Sequence, residues 1–430
     1  SEKETHMDFN TFLTRLGIAS DNFSNRQIAP IKTDGGFIYE VEQRTDEREC
    51  PFCHSGQANI KDFDYVEINC SETEHVKDIL RIKKVRFRCK SCNKSFTPPI
   101  KGIERHAKIS KQVDTFVCSD FAKKLTFSQI ARNYHLTPER IIQIFDEKVK
   151  YIPRRPIPDV LCIDEIRFSE ELDQKFVCVL YDFNKREIVD MIRNRQMPYL
   201  KEYFGSINPN ELGKVKVYIS DMYDAYATIH DRYFPKSIHV VDLFHVIIQL
   251  TTAVNQLRVR AMNGTIEKGS MEYNFMKSRW QLFLCRDSKI PDKTYAYQKT
   301  GEIIRYDDLL FRCLKLDEHL WTGYNILQEL FRYTDYWTFE EALNFVLRIS
   351  KRLETSDSIL LKTVGKTYHK WRFEIANGFA KNQAHIHYTN AIAESINNQI
   401  KTVMKSAYGY HNFERFRKRV MLILTYGKRP

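Results

Sequence analysis

Val160-Leu-Cys-Ile-Asp164 is a short apolar run that ends on a carboxylate, and its reading decides the fold. Such a run, bounded by polar residues, suits a strand covered on both faces. Downstream, Phe176 to Tyr181 and Glu187 to Ile192 read as two more strands, joined by the turn Asp182-Phe-Asn184. Pro198 to Phe204 suits a helix, and Val215 to Ile219 a fourth strand that runs into Ser220-Asp221. Tyr223 to Tyr233 reads as helix and Ile238 to Val241 as a fifth strand. Short apolar runs alternating with helical stretches are the pattern of an α/β domain.

Three strands, helix, strand, helix, strand is the order of the ribonuclease H-like fold, a mixed sheet with helices on both faces. Strands one and four are neighbours in that fold. Asp164 and Asp221 would then meet at one edge of the sheet. Glu165, Asp224 and Asp242 compete with them; Asp164 and Asp221 are preferred as the first acid after their strands.

A third acid has to come from elsewhere. Asn390-Ala-Ile-Ala-Glu394-Ser-Ile-Asn-Asn398-Gln-Ile-Lys401-Thr-Val-Met-Lys405 reads as an amphipathic helix. Ile392, Ile396, Ile400 and Val403 share one face, and Asn390, Glu394, Asn398, Lys401 and Lys405 the other. Glu394 would project from a helix whose apolar side packs on the sheet. Asn398, Lys401 and Lys405 on its stripe would hold phosphates near the metals. Three carboxylates suit two Mg²⁺ (or Mn²⁺) ions about 4 Å apart, which activate a water or 3′-hydroxyl and stabilise the leaving oxygen. Taken singly, an Asp at a strand end is usually a cap, and a helical Glu is usually solvated. Together, on this strand order, they point to a metal site.

Upstream, Cys50-Pro-Phe-Cys53 and Cys89-Lys-Ser-Cys92 form two matching knuckles. Four thiolates close a tetrahedral, structural Zn²⁺ site with no open position. The long gap between the pairs would hold a β-hairpin containing Cys70 and His75. Two Cys-x-x-Cys pairs beside six scattered cysteines point to metal binding in a reducing, cytoplasmic setting. Thr126-Phe-Ser-Gln129 is a capping box that opens a short helix. His135-Leu136 breaks it, and Thr137-Pro138 starts a second helix with Ile141, Ile142 and Phe145 inward. This is a helix-turn-helix candidate, with Arg140, Gln143 and Lys148 facing a groove; an ordinary helical hairpin is the alternative.

These readings divide the chain at 1–103 (zinc ribbon), 104–150 (helix-turn-helix), 151–260 (first part of the core), 261–378 (helical insertion) and 379–430 (glutamate helix and basic tail). Tyr151-Ile-Pro-Arg-Arg-Pro-Ile-Pro158 is the linker into the core. The insertion carries all four Trp, read as core packing, and a capping box at Thr338-Phe-Glu-Glu341. The tail adds Arg415, Arg417, Lys418, Arg419, Lys428 and Arg429 as phosphate contacts. The fold class is therefore multidomain α+β. A net charge of +12 favours polyanionic partners. No stretch reaches the roughly 20 apolar residues of a membrane helix, and no charged-then-apolar leader opens the sequence.

At this point the chain resembles the DDE transposases of bacterial insertion sequences, specifically the ISL3 family. The Cys50/Cys53/Cys89/Cys92 ribbon and the helix-turn-helix at about 104 to 150 resemble its two N-terminal modules. Ile163-Asp164-Glu165 and Ser220-Asp221-Met-Tyr-Asp-Ala-Tyr226 look like its first two catalytic segments, and Ala393-Glu394-Ser-Ile-Asn-Asn398-Gln-Ile-Lys401 like its glutamate helix. Val241-Asp242-Leu-Phe244-His245-Val246 resembles a recurrent stretch to which no chemical step is assigned; His245 reads equally well as structural. Ala407-Tyr-Gly-Tyr410 and Asn412-Phe-Glu-Arg-Phe416 resemble its closing segment. The resemblance implies double-stranded DNA as partner: terminal inverted repeats are bound and cut, and the ends are joined to a target, with a homodimer in the DNA complex. A DNA-binding regulator of the same origin that no longer cuts, and a structure-selective nuclease on the same fold, are the competing readings.

Overall fold

A computed structural model describes residues 8–24, 29–46, 48–168, 175–264, 266–332, 338–381, 388, 391–406 and 412–426. The protein is mixed α+β and divides into two compact units, Ser1–Pro153 with Ile400–Pro430, and Arg154–Gln399.

The first unit opens with α1 (Phe9–Arg15), β1 (Ile31–Thr33), β2 (Gly36–Glu42), β3 (Ala58–Asn69), β4 (Ile79–Cys89) and β5 (Ser95–Phe96). The sheet order is β1-β2-β4-β3, with β5 added to β4. β3 and β4 pair antiparallel from Ala58↔Cys89 to Asn69↔Ile79. The gap between the cysteine pairs is thus a hairpin, with a buried Cys70 and an exposed His75 in its loop. Phe12, Leu13, Val41, Ile68, Leu80 and Ile82 form its core. Then come α2 (Lys111–Asp120), α3 (Phe127–Asn133) and α4 (Pro138–Lys148). The Thr126–Gln129 capping box is formed. Thr137 caps α4 ahead of Pro138. Between the two, His135 adopts the left-handed φ of 49° that turns the chain. Val117, Phe121, Ile130, Ile141 and Phe145 meet between the three helices.

The second unit begins β6 (Val160–Arg167), β7 (Phe176–Asp182), β8 (Glu187–Ile192), α5 (Met197–Gly205), α6 (Pro209–Leu212), β9 (Val217–Ser220), α7 (Asp224–Tyr233) and β10 (Ile238–Val241). The order is β10-β9-β6-β7-β8, so the first and fourth strands are neighbours. β10, β9 and β6 run parallel; β7 and β8 run antiparallel to their neighbours. Leu161, Ile163 and Leu180 pack with Leu200 and Phe204 of α5 and Tyr226 and Ile229 of α7. Asp164 lies within β6 rather than after it. The antiparallel partner β7 keeps bonding as far as Arg167↔Phe176, so the polar residues remain in the strand.

Arg154, at the start of this unit, grips Glu211 of α6 with two parallel bonds of 2.7 Å. The same carboxylate accepts the Ile157 N–H at 2.8 Å, which pins the proline-rich segment. The Arg154 guanidinium draws Glu211 down to about 2. Its stabilisation is full above the ordinary carboxylate range, near 4.5, and is lost as pH falls toward 2. Glu211→Gln is expected to cost about 1–2 kcal/mol at pH 7, after screening of a partly exposed pair, and much less at pH 2.5. Urea titrations at the two pH values check this.

A helical region follows: α8 (Leu243–Gly264), α9 (Met271–Ser278), the hairpin β11 (Thr294–Ala296) and β12 (Ile303–Arg305), α10 (Tyr306–Leu314), α11 (Glu318–Arg332), α12 (Phe339–Glu354), α13 (Ile359–Lys370) and α14 (Arg372–Phe379). α8 runs through position 260, so the helical part starts earlier than expected. Val254, Phe275, Leu309, Leu327, Ile349 and Leu361 share one core. The Thr338 capping box is formed. Of the four Trp, Trp371 is buried and Trp321 packs partly buried against that core. Trp280 is 42% exposed, which corrects the expectation of core packing for it. Trp337 lies outside the described residues. No helix among the described residues is long and apolar enough to cross a membrane.

α15 (Ala391–Ser406) buries Ile396, Ile400 and Val403 as the periodicity predicts. The last helix, α16 (Phe413–Met421), returns to the three-helix cluster of the first unit. Arg419, expected to hold phosphate, is 1% exposed. It donates to the carbonyls of Phe121, Lys123 (3.2 Å) and Leu125 (2.5 Å) and lies over the Phe127 ring. Arg415 pairs with Asp146 at 2.6 Å, and Arg417 donates to the Ile152 carbonyl at 3.0 Å. The loop after α2 leaves carbonyls that no helix satisfies, and a guanidinium with five donors answers several at once. Lys428 and Arg429 lie outside the described residues. Arg419→Ala should cost about 2–4 kcal/mol by stranding buried acceptors, and Arg419→Lys should recover little, because an ammonium lacks the fork. Thermal unfolding of the two variants measures this.

Candidate active site

The register of the second sheet brings two acids together. β6 and β9 pair in parallel as far as Cys162↔Ile219. Two residues further along each chain, Asp164 and Asp221 are level. Asp164 Oδ1 accepts the Glu165 N–H at 2.7 Å, and its Oδ2 accepts Nδ2 of Asn397 at 2.7 Å. Burial, and then the Asp221 carboxylate, push Asp164 up to about 7. Like charges this close favour a proton or a cation between them.

Asp221 also faces Asp242 and His245, and one ligand atom from each of these three lies within 4.8 Å of the others. His245 Nδ1 is 2.8 Å from Asp221 Oδ1 and 3.2 Å from Asp242 Oδ2. Burial alone would lower the His245 pKa; the two carboxylates outweigh it and raise it to about 10. Asp242 is 5% exposed and extends the ladder through its N–H to the Ser220 carbonyl at 3.1 Å. α14 closes tightly behind it. A Cβ on Gly378 would stand 2.6 Å from the Val241 carbonyl oxygen, so only glycine lets the helix approach.

Glu394 lies on α15 with its side chain exposed and is not one of that three-residue group. It stands one helical turn before Asn397, on the same side of the helix. Asn397 is 5% exposed and joins two strands: it donates to Asp164, and its Oδ1 accepts from the Tyr181 hydroxyl. Asn398, Lys401 and Lys405 are exposed on the same helix; Asn390 lies outside the described residues. The competing acids have partners. Glu165 pairs with Arg195 at 2.5 Å and accepts from Tyr226 at 3.3 Å, and Asp224 pairs with Lys370 at 2.6 Å. Sequence reading missed Asn397. The available signal was its position three residues after Glu394, at the border of the apolar stripe.

In the first unit, Cys50, Cys53, Cys89 and Cys92 converge, all four sulfurs within 4.8 Å. Cys50 and Cys92 are 3.6 Å apart, and Cys53 and Cys89 3.5 Å. Zinc–sulfur bonds of about 2.3 Å in a tetrahedron space sulfurs about 3.8 Å apart, so the cluster can bind zinc. The Cys92 backbone N–H leads in drawing the Cys89 thiol down to about 6, which favours the ligating thiolate. On α4, Arg140 approaches Gln143 at 3.3 Å and Glu147 at 3.7 Å. Lys148 pairs with Asp114 at 2.5 Å.

The profile of the ISL3-type DDE transposase family, described as "Transposase", matches residues 161–420, and the chain belongs to that family. It is 22% identical over 342 residues to the transposase for insertion sequence element IS1001 of Bordetella parapertussis, with 79% of each chain covered. A shorter match, 28% identical over 118 residues, is to an ATP-dependent protease of Lactococcus lactis subsp. lactis. It covers 27% of this chain and 34% of that protein.

Proposed function

We propose that the protein binds the terminal inverted repeats of its insertion sequence, cuts DNA strands there and joins them to target DNA. In this reading the second unit is a ribonuclease H-like core, and Asp164, Asp221 and Glu394 are its catalytic acids. The observation that carries it is the pairing of β6 with β9, which brings Asp164 and Asp221 level, while the helix of Glu394 is tied to Asp164 through Asn397.

The donor set fits a hard divalent cation. It consists of carboxylate oxygens, and Asp221 Oδ1 is buried without a well-angled hydrogen bond. Asp164 and Asp221 would hold Mg²⁺ or Mn²⁺, with Glu394 closing the set. The bound ions would activate the attacking oxygen and stabilise the leaving one. Within the chain, Asn397 orients Asp164, and Arg195 neutralises Glu165 and keeps that neighbour out of the site. In the first unit, α3 and α4 serve as the helix-turn-helix, with Arg140 and Gln143 reading the groove. Lys148 exchanges Asp114 for a phosphate, and Asn398, Lys401 and Lys405 add backbone contacts. Zinc on the four cysteines is structural.

The test uses duplex DNA carrying the sequences that flank the gene, with Mg²⁺ or Mn²⁺. Nicking at the repeat ends supports the proposal. Tight binding with no cleavage under either ion overturns it.

A further inference from the structure

We propose that Asp242 and His245 act as a positioning pair that fixes the Asp221 carboxylate in the orientation in which it meets a divalent ion. The inference rests on the proposed role of Asp221 and adds to it. Asp164 is held from two sides, by the Glu165 N–H and by Asn397. Asp221 lies one residue beyond the end of β9. Its buried Oδ1 stands 2.8 Å from His245 Nδ1.

His245 is itself restrained. Its backbone N–H donates to the Asp242 carbonyl at 3.1 Å, and its Nδ1 is 3.2 Å from Asp242 Oδ2. Asp242 is buried and fixed to the sheet ladder. The restraint therefore passes from β10 through Asp242 and His245 to Asp221. The histidine sits in the first turn of α8, where the helix dipole disfavours a basic side chain. Helix stability does not account for its placement, whereas the hydrogen bond to Asp242 and the close charge contact with Asp221 do. Hydrogen-bonding groups behind a metal ligand commonly control ion affinity by about 10–100-fold.

The test is Mn²⁺ affinity of the full chain, read from the free-ion electron paramagnetic resonance signal without DNA. His245→Ala should weaken binding at least about tenfold. His245→Asn places an amide donor near the position of Nδ1 and should recover most of that loss. Asp242→Asn, expected to fall between them, serves if His245→Ala does not fold in thermal unfolding. Asp221→Asn is the control. If it loses Mn²⁺ while His245→Ala binds like the unaltered chain, the positioning role is overturned and the acid site stands. If Asp221→Asn binds normally, the acid site itself falls, and the inference with it. Equal loss in His245→Asn and His245→Ala overturns the donor role. Nitrogen coupling from an imidazole bound to Mn²⁺ also overturns it, because His245 would then be a ligand.

Discussion

Asp164→Asn and Asp221→Asn are each expected to lower strand cleavage by about a thousandfold or more while leaving DNA binding intact, since on the proposed reading each removes a charge that would hold the cation. The amide keeps the size of the side chain and can still accept the Glu165 N–H, so Asp164→Asn folds. Its NH2 then faces the Asn397 Nδ2 donor in place of an accepting oxygen, so the loss of that bond and the relief of buried charge offset each other and thermal stability without metal should change little. Burial and the Asp221 carboxylate disfavour a charge at position 164, and the amide removes that penalty. Asn397→Ala belongs to the same series with a smaller effect, about tenfold, because it frees Asp164 without discharging it. Gel assays of end cleavage alongside melting curves check all three. Unaltered cleavage in Asp164→Asn would remove it from the catalytic set.

The second large effect lies in the first unit. Around the four cysteines the packed core consists of Cys50, Ala58, Val85, Phe87, Cys89 and Phe96. Two of those six, Cys50 and Cys89, belong to the four-cysteine cluster, so little apolar area would hold the knuckles without a metal. Zinc binding is worth about 10–16 kcal/mol in isolated finger peptides at neutral pH. Chelation, or Cys53→Ser with Cys92→Ser, should open the tip of the β3–β4 hairpin and both knuckles and abolish specific DNA binding. Hydrogen exchange should show lost protection at 50–60 and 86–96, with the β6–β10 sheet unchanged. Full protection of the knuckles without zinc would show that apolar packing suffices there.

The strands β6 to β10 were readable because each is a short apolar run with clear turn residues, and a parallel crossover allows few strand orders. The zinc knuckles and helix caps were readable because their chemistry is local. What escaped depended on tertiary context. Asn397 looks like one more polar residue on an amphipathic helix until β6 and β7 supply Asp164 and Tyr181 as its partners. Asp242 and His245 were visible as a pair, but only the end of β9 shows that they meet Asp221. Arg419 misled for the converse reason. A basic residue in a basic tail suggests solvent, whereas three carbonyls separated from it by most of the chain decide its burial.

That arginine also sets the timing of assembly during synthesis. The helices around Phe121 lack their closing donor, and the apolar cover that Leu422 supplies, until a residue 298 positions later has been made. A ribosome adding roughly 5–20 residues per second needs about 15–60 s for that interval. Through it, a nascent or truncated chain carries these helices with polar acceptors uncovered, and they mature only once Asp164 and Asp221 already exist on the same polypeptide.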